Sequence, residues 1–244
     1  MESERETKPG TRADTGPKAP AGTRQDTPPG TPGTPGTPGT PGTPGTQRKA
    51  PIGRPRGFDA DEALERAMRV FWEQGYEGAG LTDLTRAMGI TRTSMYAAFG
   101  NKEELFHKAL RRYSEGPASY VLRALAEPTA RRVAEAFLGG AVRATTQPDR
   151  PTGCLGVQAS LAAGDLGRTV RDALADWRNE GTARLRERFT RARDEGDLPA
   201  DADPATLARF LMTVGNGIAV QAASGASREE LRLVADTALS TWPS

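Results

Sequence analysis

The chain has 244 residues, with 33 Lys+Arg against 31 Asp+Glu, a formal net charge of +2, one Cys and one His. That length allows one or two domains; a lone Cys excludes an intramolecular disulfide framework and a Cys-rich zinc site, and a lone His weakens any His-based catalysis. The N-terminus, Met1-Glu2-Ser3-Glu4-Arg5, lacks a signal-like apolar stretch, and the most apolar run, Phe210 to Ala223, is broken by Asn216 and Gln221 and is too short to span a bilayer, so a soluble cytoplasmic protein with no membrane partner is expected.

Residues 1–52 contain almost no large apolar side chains, so nothing offsets the entropy of ordering them, and a disordered tail is expected. Thr31 to Gly45 is five Thr-Pro-Gly triplets. Five triplets are too few for a collagen-like helix, and a low-complexity, partly extended linker fits better. No acid lies between Asp26 and Asp59, whereas Arg48, Lys49, Arg54 and Arg56 do. Gly53-Arg54-Pro55-Arg56 suits either an extended arm whose arginines enter a narrow minor groove or a solvated linker.

Order is expected from about Phe58, and the pattern is helical throughout. Asp59 to Gly75 places Leu64, Ala67, Met68 and Phe71 on one face, with Asp59 or Asp61 as cap and Gly75 as stop. A short helix from Leu81 to Met88 turns Leu84 and Met88 inward, and Gly89-Ile90-Thr91 breaks it. A third, Thr91 to Phe99, anchors through Met95 and Phe99. Gly100-Asn101 opens a fourth, whose stripe is Leu105, Phe106, Ala109, Leu110 and Tyr113. Farther on, Arg168 to Glu195 carries Val170, Leu174, Trp177, Gly181, Leu185, Phe189 and Ala192 on one stripe, with Gly196 as a left-handed stop. Asp203-Pro204 starts a helix to about Ala222. Ser227 with Glu230 forms a capping box for the last helix, which turns Leu231, Val234, Ala238 and Leu239 inward. The fold class is all-α, with about nine or ten helices.

Gly80 to Phe99 is two short helices across a tight turn, the arrangement of a helix-turn-helix whose second helix can lie in a major groove. The outward residues of that helix, Arg92, Thr93, Ser94, Tyr96 and Ala97, are small or hydrogen-bonding. Lys102 adds a charge where a helix N-terminus already favours phosphate. A surface turn in an ordinary helical protein fits the same geometry. The absence of acid between Asp83 and Glu103 favours DNA, because a carboxylate facing phosphate is repelled.

Three segments carry a resemblance: Phe71-Trp72-Glu73-Gln74-Gly75-Tyr76-Glu77-Gly78, then Leu84-Thr85-Arg86-Ala87-Met88-Gly89-Ile90, then Ser94 through Phe106. With them, Gly57 to Tyr113 resembles the DNA-binding domain of the tetracycline-repressor (TetR) family of bacterial transcription regulators. The link Glu195-Gly196-Asp197-Leu198-Pro199 also looks like members of the family. The resemblance implies phosphate contacts from Tyr96 and Lys102, and base or sugar contacts from Thr82, Arg92, Thr93, Ser94 and Ala97. This chain departs from the family at Gly80, where Ser or Thr often caps the helix. Ala97-Ala98 is also less polar than in many relatives, leaving methyl contact with thymine as the means of base reading there.

The division that follows is a tail (1–52), a helix-turn-helix DNA-binding domain (53–113, the motif at 80–99) and an effector-binding and dimerisation domain (114–244). The expected function is a homodimeric repressor released from a palindromic operator in double-stranded DNA by an unknown small-molecule effector. Trp177 and Phe189 are the candidates to line the effector pocket. Leu211, Val214, Ile218, Val234 and Ala238 are the candidates for the dimer interface. An effector-independent or activating regulator and a helical protein-interaction adaptor are the alternatives. No nucleophile–base–orienter set, phosphate loop or metal-spaced cluster is present, so no enzyme activity, cofactor or metal is expected. Cys154 reads as a small buried residue, His107 as a polar-face residue, and Asp194, Glu195 and Asp197 as an ordinary helix end.

Overall fold

The computed structural model describes residues 57–161 and 168–243. The expected tail and both arginines of the Gly-Arg-Pro-Arg arm, Arg54 and Arg56, lie outside the described residues. Among the described residues the chain forms ten α-helices and one 3-10 turn, with no strand.

Asp59 starts α1 (Ala60–Gly78) by accepting from the backbone N–H groups of Asp61 at 2.8 Å and Glu62 at 3.1 Å. Gly75 takes φ 69° and kinks the helix where the sequence calls for a stop, and a few further residues run on to Gly78. Next come α2 (Leu81–Met88), α3 (Arg92–Phe99) and α4 (Lys102–Glu115). An eight-residue helix is unstable alone in water, so α3 owes its position to its anchors. Met95 and Phe99 are buried beside Met68, Phe71, Leu84, Leu105 and Phe106. Each such fully buried side chain contributes roughly 1.5–3 kcal/mol. Phe71 meets Phe106 edge-on at 5.1 Å.

Beyond α4 lie a 3-10 turn (Pro117–Ser119), α5 (Tyr120–Leu125), α6 (Ala130–Thr145), α7 (Leu155–Leu161), α8 (Arg168–Asp194), α9 (Pro204–Ala223) and α10 (Arg228–Ser240). Periodicity alone places no helix between residues 114 and 167. The reason is compositional: α5 is six residues long, and α6 interrupts its stripe with Gly139-Gly140. Gly140 is there for close approach, since a Cβ on it would stand 2.5 Å from the Tyr120 ring. The first core does not end at Tyr113. Leu155, Ala159, Val170 and Leu174 of α7 and α8 pack into it. A second core joins α6, the far half of α8, α9 and α10 through Phe137, Leu138, Leu185, Leu211, Ile218 and Leu231, with Trp242 just past α10.

The expected stops and starts hold. Gly196 adopts φ 81°, and the Asp197 N–H donates to the Ala192 carbonyl at 2.8 Å. Asp203 accepts from Ala205 and Thr206, with Pro204 first in α9. Ser227 and Glu230 exchange bonds at the start of α10. Four side-chain placements differ from expectation. Val234 faces outward, 50% exposed, while Leu231 and Ala235 point in; spacings of three and four residues both suit a helix, and apolarity does not choose between them. Leu211 and Ile218, expected at the dimer interface, are buried in the protomer's own core. The α9 helix is apolar on more than one face, so composition does not reveal which face meets a partner. Phe189, expected in a pocket, is fully buried against Trp242 at 5.3 Å. The sequence also gave no sign of Arg188, which is buried and donates through Nη2 to the carbonyls of Glu127 at 2.9 Å and Pro128 at 3.0 Å, tying α8 to the α5–α6 turn.

Candidate nucleic-acid interface and ligand cavity

Local chemistry sets the turn between α2 and α3. Gly80 precedes α2 in an extended conformation and gives no side-chain cap. Gly89 closes α2 with φ 69°, a left-handed value that a side chain rarely adopts, and the Ile90 N–H returns to the Thr85 carbonyl at 3.1 Å. Thr91 caps α3, its hydroxyl accepting from the Ser94 N–H at 3.1 Å. Two residues expected to meet DNA meet each other: Arg92 Nη2 donates to the Thr82 hydroxyl at 2.8 Å. This bond fixes the angle at which the end of the guanidinium leaves α3.

Thr82, Arg92, Thr93, Tyr96 and Ala97 are exposed on one side of the motif, and Ser94 is half-buried beside its cap. Tyr96 stands out as a large ring left 47% exposed. The α4 start is built by a capping box that the sequence reading missed, Asn101 accepting from the Glu104 N–H at 2.9 Å and Glu104 accepting from the Asn101 N–H at 2.9 Å. An Asn followed at three residues by Glu is its signal. Lys102 lies with Nζ 4.5 Å above the Tyr76 ring. Partial burial lowers the lysine's pKa, and Glu77 partly counters the effect. Lys108 donates to the Phe99 carbonyl at 2.7 Å and locks the end of α3 onto α4.

A second site lies between α4, α5, α6, α8 and α9. It is a cavity of about 140 Å³. Trp177 lines it; Phe189 does not. Cys154 also lines it, unforeseen by the sequence reading, with its thiol pushed up by burial although a hydrogen bond with Tyr113 acts the other way. Trp177 donates through Nε1 to Ser114 Oγ at 2.8 Å and packs on Tyr113 with ring centroids 6.2 Å apart. Tyr113 in turn meets Trp72 of α1 edge-on at 4.8 Å. A cavity wall is thereby joined through two ring contacts to the helix that carries the helix-turn-helix.

A third feature is an exposed apolar groove formed by Phe210 and Val214 of α9 with Leu233, Val234 and Ala238 of α10. Of the five interface candidates it contains Val214, Val234 and Ala238. Phe210 and Leu233, which the sequence reading left out, belong to it. Among the described residues no group of three or more His, Cys, Asp or Glu is placed to hold a metal, and no helix is long and apolar enough to cross a membrane.

Comparison with known proteins bears on both halves. Residues 63–109 match the model of the bacterial regulatory proteins of the tetR family, and residues 129–238 match the tetracyclin repressor-like C-terminal domain. The chain is 34% identical over 201 residues to the HTH-type transcriptional repressor ComR of Escherichia coli, covering 80% of this chain and 94% of that one. It is 31% identical to the HTH-type transcriptional repressor AcnR of Corynebacterium glutamicum, covering 72% and 87%. Among solved structures, a cysteine mutant of the TetR family transcriptional regulator CifR, complexed with 26 bp double-strand operator DNA, is 46% identical, covers 78% of this chain and all of its own, and superposes with a TM-score of 0.74. A TetR transcriptional regulator from a Rhodococcus species is 40% identical, covers 74% and 97%, and has a TM-score of 0.54.

Proposed function

The chain belongs to the tetR family of bacterial regulatory proteins, and from that premise we propose that it is a homodimeric repressor that holds a palindromic operator and lets it go when a small molecule fills the body cavity. The observation that carries this reading is the α2–α3 pair. It presents Thr93, Tyr96 and Ala97 outward on a short helix that Met95 and Phe99 anchor to a buried core. The wide groove of duplex DNA admits such a helix. Thr93, Ser94 and Ala97 read base edges or sugars, as do Thr82 and Arg92 on the flank. Tyr96 and Lys102 hold phosphates and set the register. Lys102 leaves the Tyr76 ring to do so, and its lowered pKa returns toward normal beside an anion. Arg54 and Arg56 extend the contact into the minor groove.

Two copies meet through the groove that contains Val214, Leu233 and Val234, which no segment of the described protomer covers. A two-fold axis there presents two α3 helices to successive major grooves, about 34–36 Å apart or a multiple of that spacing. The effector acts by favouring a dimer geometry with the wrong helix separation, since equal affinity for both geometries would shift nothing. Trp177 is the reader. It walls the cavity, bonds to Ser114 and packs on Tyr113, both at the far end of α4, whose near end carries Lys102. The relatives are transcriptional regulators, and a regulatory role without catalysis is the reading for this chain.

Selection of bound fragments from random duplex DNA tests the proposal. An inverted repeat with half-sites spaced by whole helical turns is expected, bound with a strong dependence on salt. No enrichment at low ionic strength would reject DNA binding in favour of a protein-interaction adaptor.

A further inference from the structure

The chemistry of the cavity's occupant can be read from its walls, an inference that rests on taking this cavity as the effector site. Three rings form the walls, each seated on a glycine. A Cβ would stand 2.4 Å from Trp177 at Gly156, 2.5 Å from Tyr120 at Gly140 and 3.0 Å from Phe137 at Gly215. The backbone makes way so that flat apolar surfaces border the space. The volume of about 140 Å³ is close to that of an engineered apolar cavity of about 150 Å³ that stays dry and binds benzene.

Charge and hydrogen bonding narrow the occupant further. Glu180 and Arg184, the ionised residues lining the cavity, pair with each other at its exposed rim. Tyr120 and Cys154 are held neutral by burial. A charged molecule would lose its hydration with no counter-ion to replace it. The Thr145 hydroxyl gives its proton to the Ala141 carbonyl at 2.8 Å, and Ser114 donates to the Leu110 carbonyl and accepts from Trp177, so neither hydroxyl has a donor to spare. Among the described residues none engages the side-chain amide of Asn216, which also lines the cavity.

We propose that the cavity takes an uncharged, mostly apolar molecule about the size of one six-membered ring, bound non-covalently, with any single polar group met by Asn216. Fluorine NMR on the full chain tests this with fluorobenzene as probe. Fluorobenzene is expected to bind saturably. The same ring carrying a charge, as para-fluorobenzoate or para-fluorobenzylamine, is expected to bind at least about tenfold more weakly. Gly181→Leu pushes side chain into the space beside Met212, whose Cε would be 3.6 Å from a Cβ at Gly181. It should abolish fluorobenzene binding. Should Gly181→Leu misfold, Met212→Ala serves instead, and it is expected to admit fluoronaphthalene, which the unaltered chain refuses. Asn216→Ala should weaken para-fluorophenol and spare fluorobenzene. Benzoate binding as tight as fluorobenzene, no fluorobenzene binding at all, or indifference to both cavity variants would overturn the proposal. Operator release is read separately. Occupancy of the cavity without release leaves the ligand class standing and removes the effector role; release that survives Gly181→Leu places the effector elsewhere.

Discussion

The helix-turn-helix head and the helical body solve opposite problems. In the head, short helices sit at angles fixed by caps and left-handed glycines, Gly89, Thr91 and Asn101 among them, and the outward face of α3 mixes small residues with Arg92 and the exposed Tyr96 ring. In the body, long helices leave a space at the middle of their apolar stripes. On α8 the stripe is fully buried at Val170 and Leu174 and again at Leu185 and Phe189, but between them Trp177 and Gly181 border the cavity. The caps and packed core of the head hold one surface in one orientation. The body keeps a void, and a void is the part of a fold that a ligand can alter. The two regions share a core at Tyr113, Leu155 and Val170, so movement around the cavity is not insulated from the head.

Substitutions can break this comparison or sharpen it, and the largest effect is expected in the body's own core. Leu211→Ala should cost about 2–5 kcal/mol in urea unfolding, because Leu211 is fully buried within the protomer. Val234→Glu should leave protomer secondary structure intact and weaken self-association by at least about 2 kcal/mol, read by sedimentation. If the two outcomes were exchanged, the assignment of the outer face would be wrong.

In the head, Thr93→Ala should change discrimination at a single operator position by about 1–3 kcal/mol, whereas Tyr96→Phe should weaken all duplexes alike. Binding titrations against single-base operator variants separate the two. Uniform loss from both would reduce Thr93 to a phosphate contact.

Deleting residues 1–56 should leave the thermal midpoint in place and flatten the dependence of operator affinity on salt. Each lost phosphate contact lowers the logarithmic slope by about 0.9. An unchanged slope would remove Arg54 and Arg56 from the interface.

The smallest effect is expected at Gly80→Ser, which supplies the missing cap of α2 and should stabilise the chain by a few tenths of a kcal/mol. The new Cβ would sit 3.1 Å from Asp83 Oδ2, so the gain depends on that carboxylate turning aside. Calorimetry measures it.

The sequence by itself determined where the helices of the head begin and where α2 and α3 end, while α1 runs past its expected stop at Gly75 to Gly78. Caps and left-handed glycines act over three or four residues, and that information is local. The same local logic located the starts of α9 and α10 and the stop after α8. The tertiary structure alone decided which face of α9 is core and which is free, that Phe189 is buried while Trp177 borders a cavity, and that Cys154 faces Tyr113. Each of these depends on residues from distant helices meeting, and a helical stripe records only that a side chain avoids water, not whether it finds packed neighbours, a partner or an empty space.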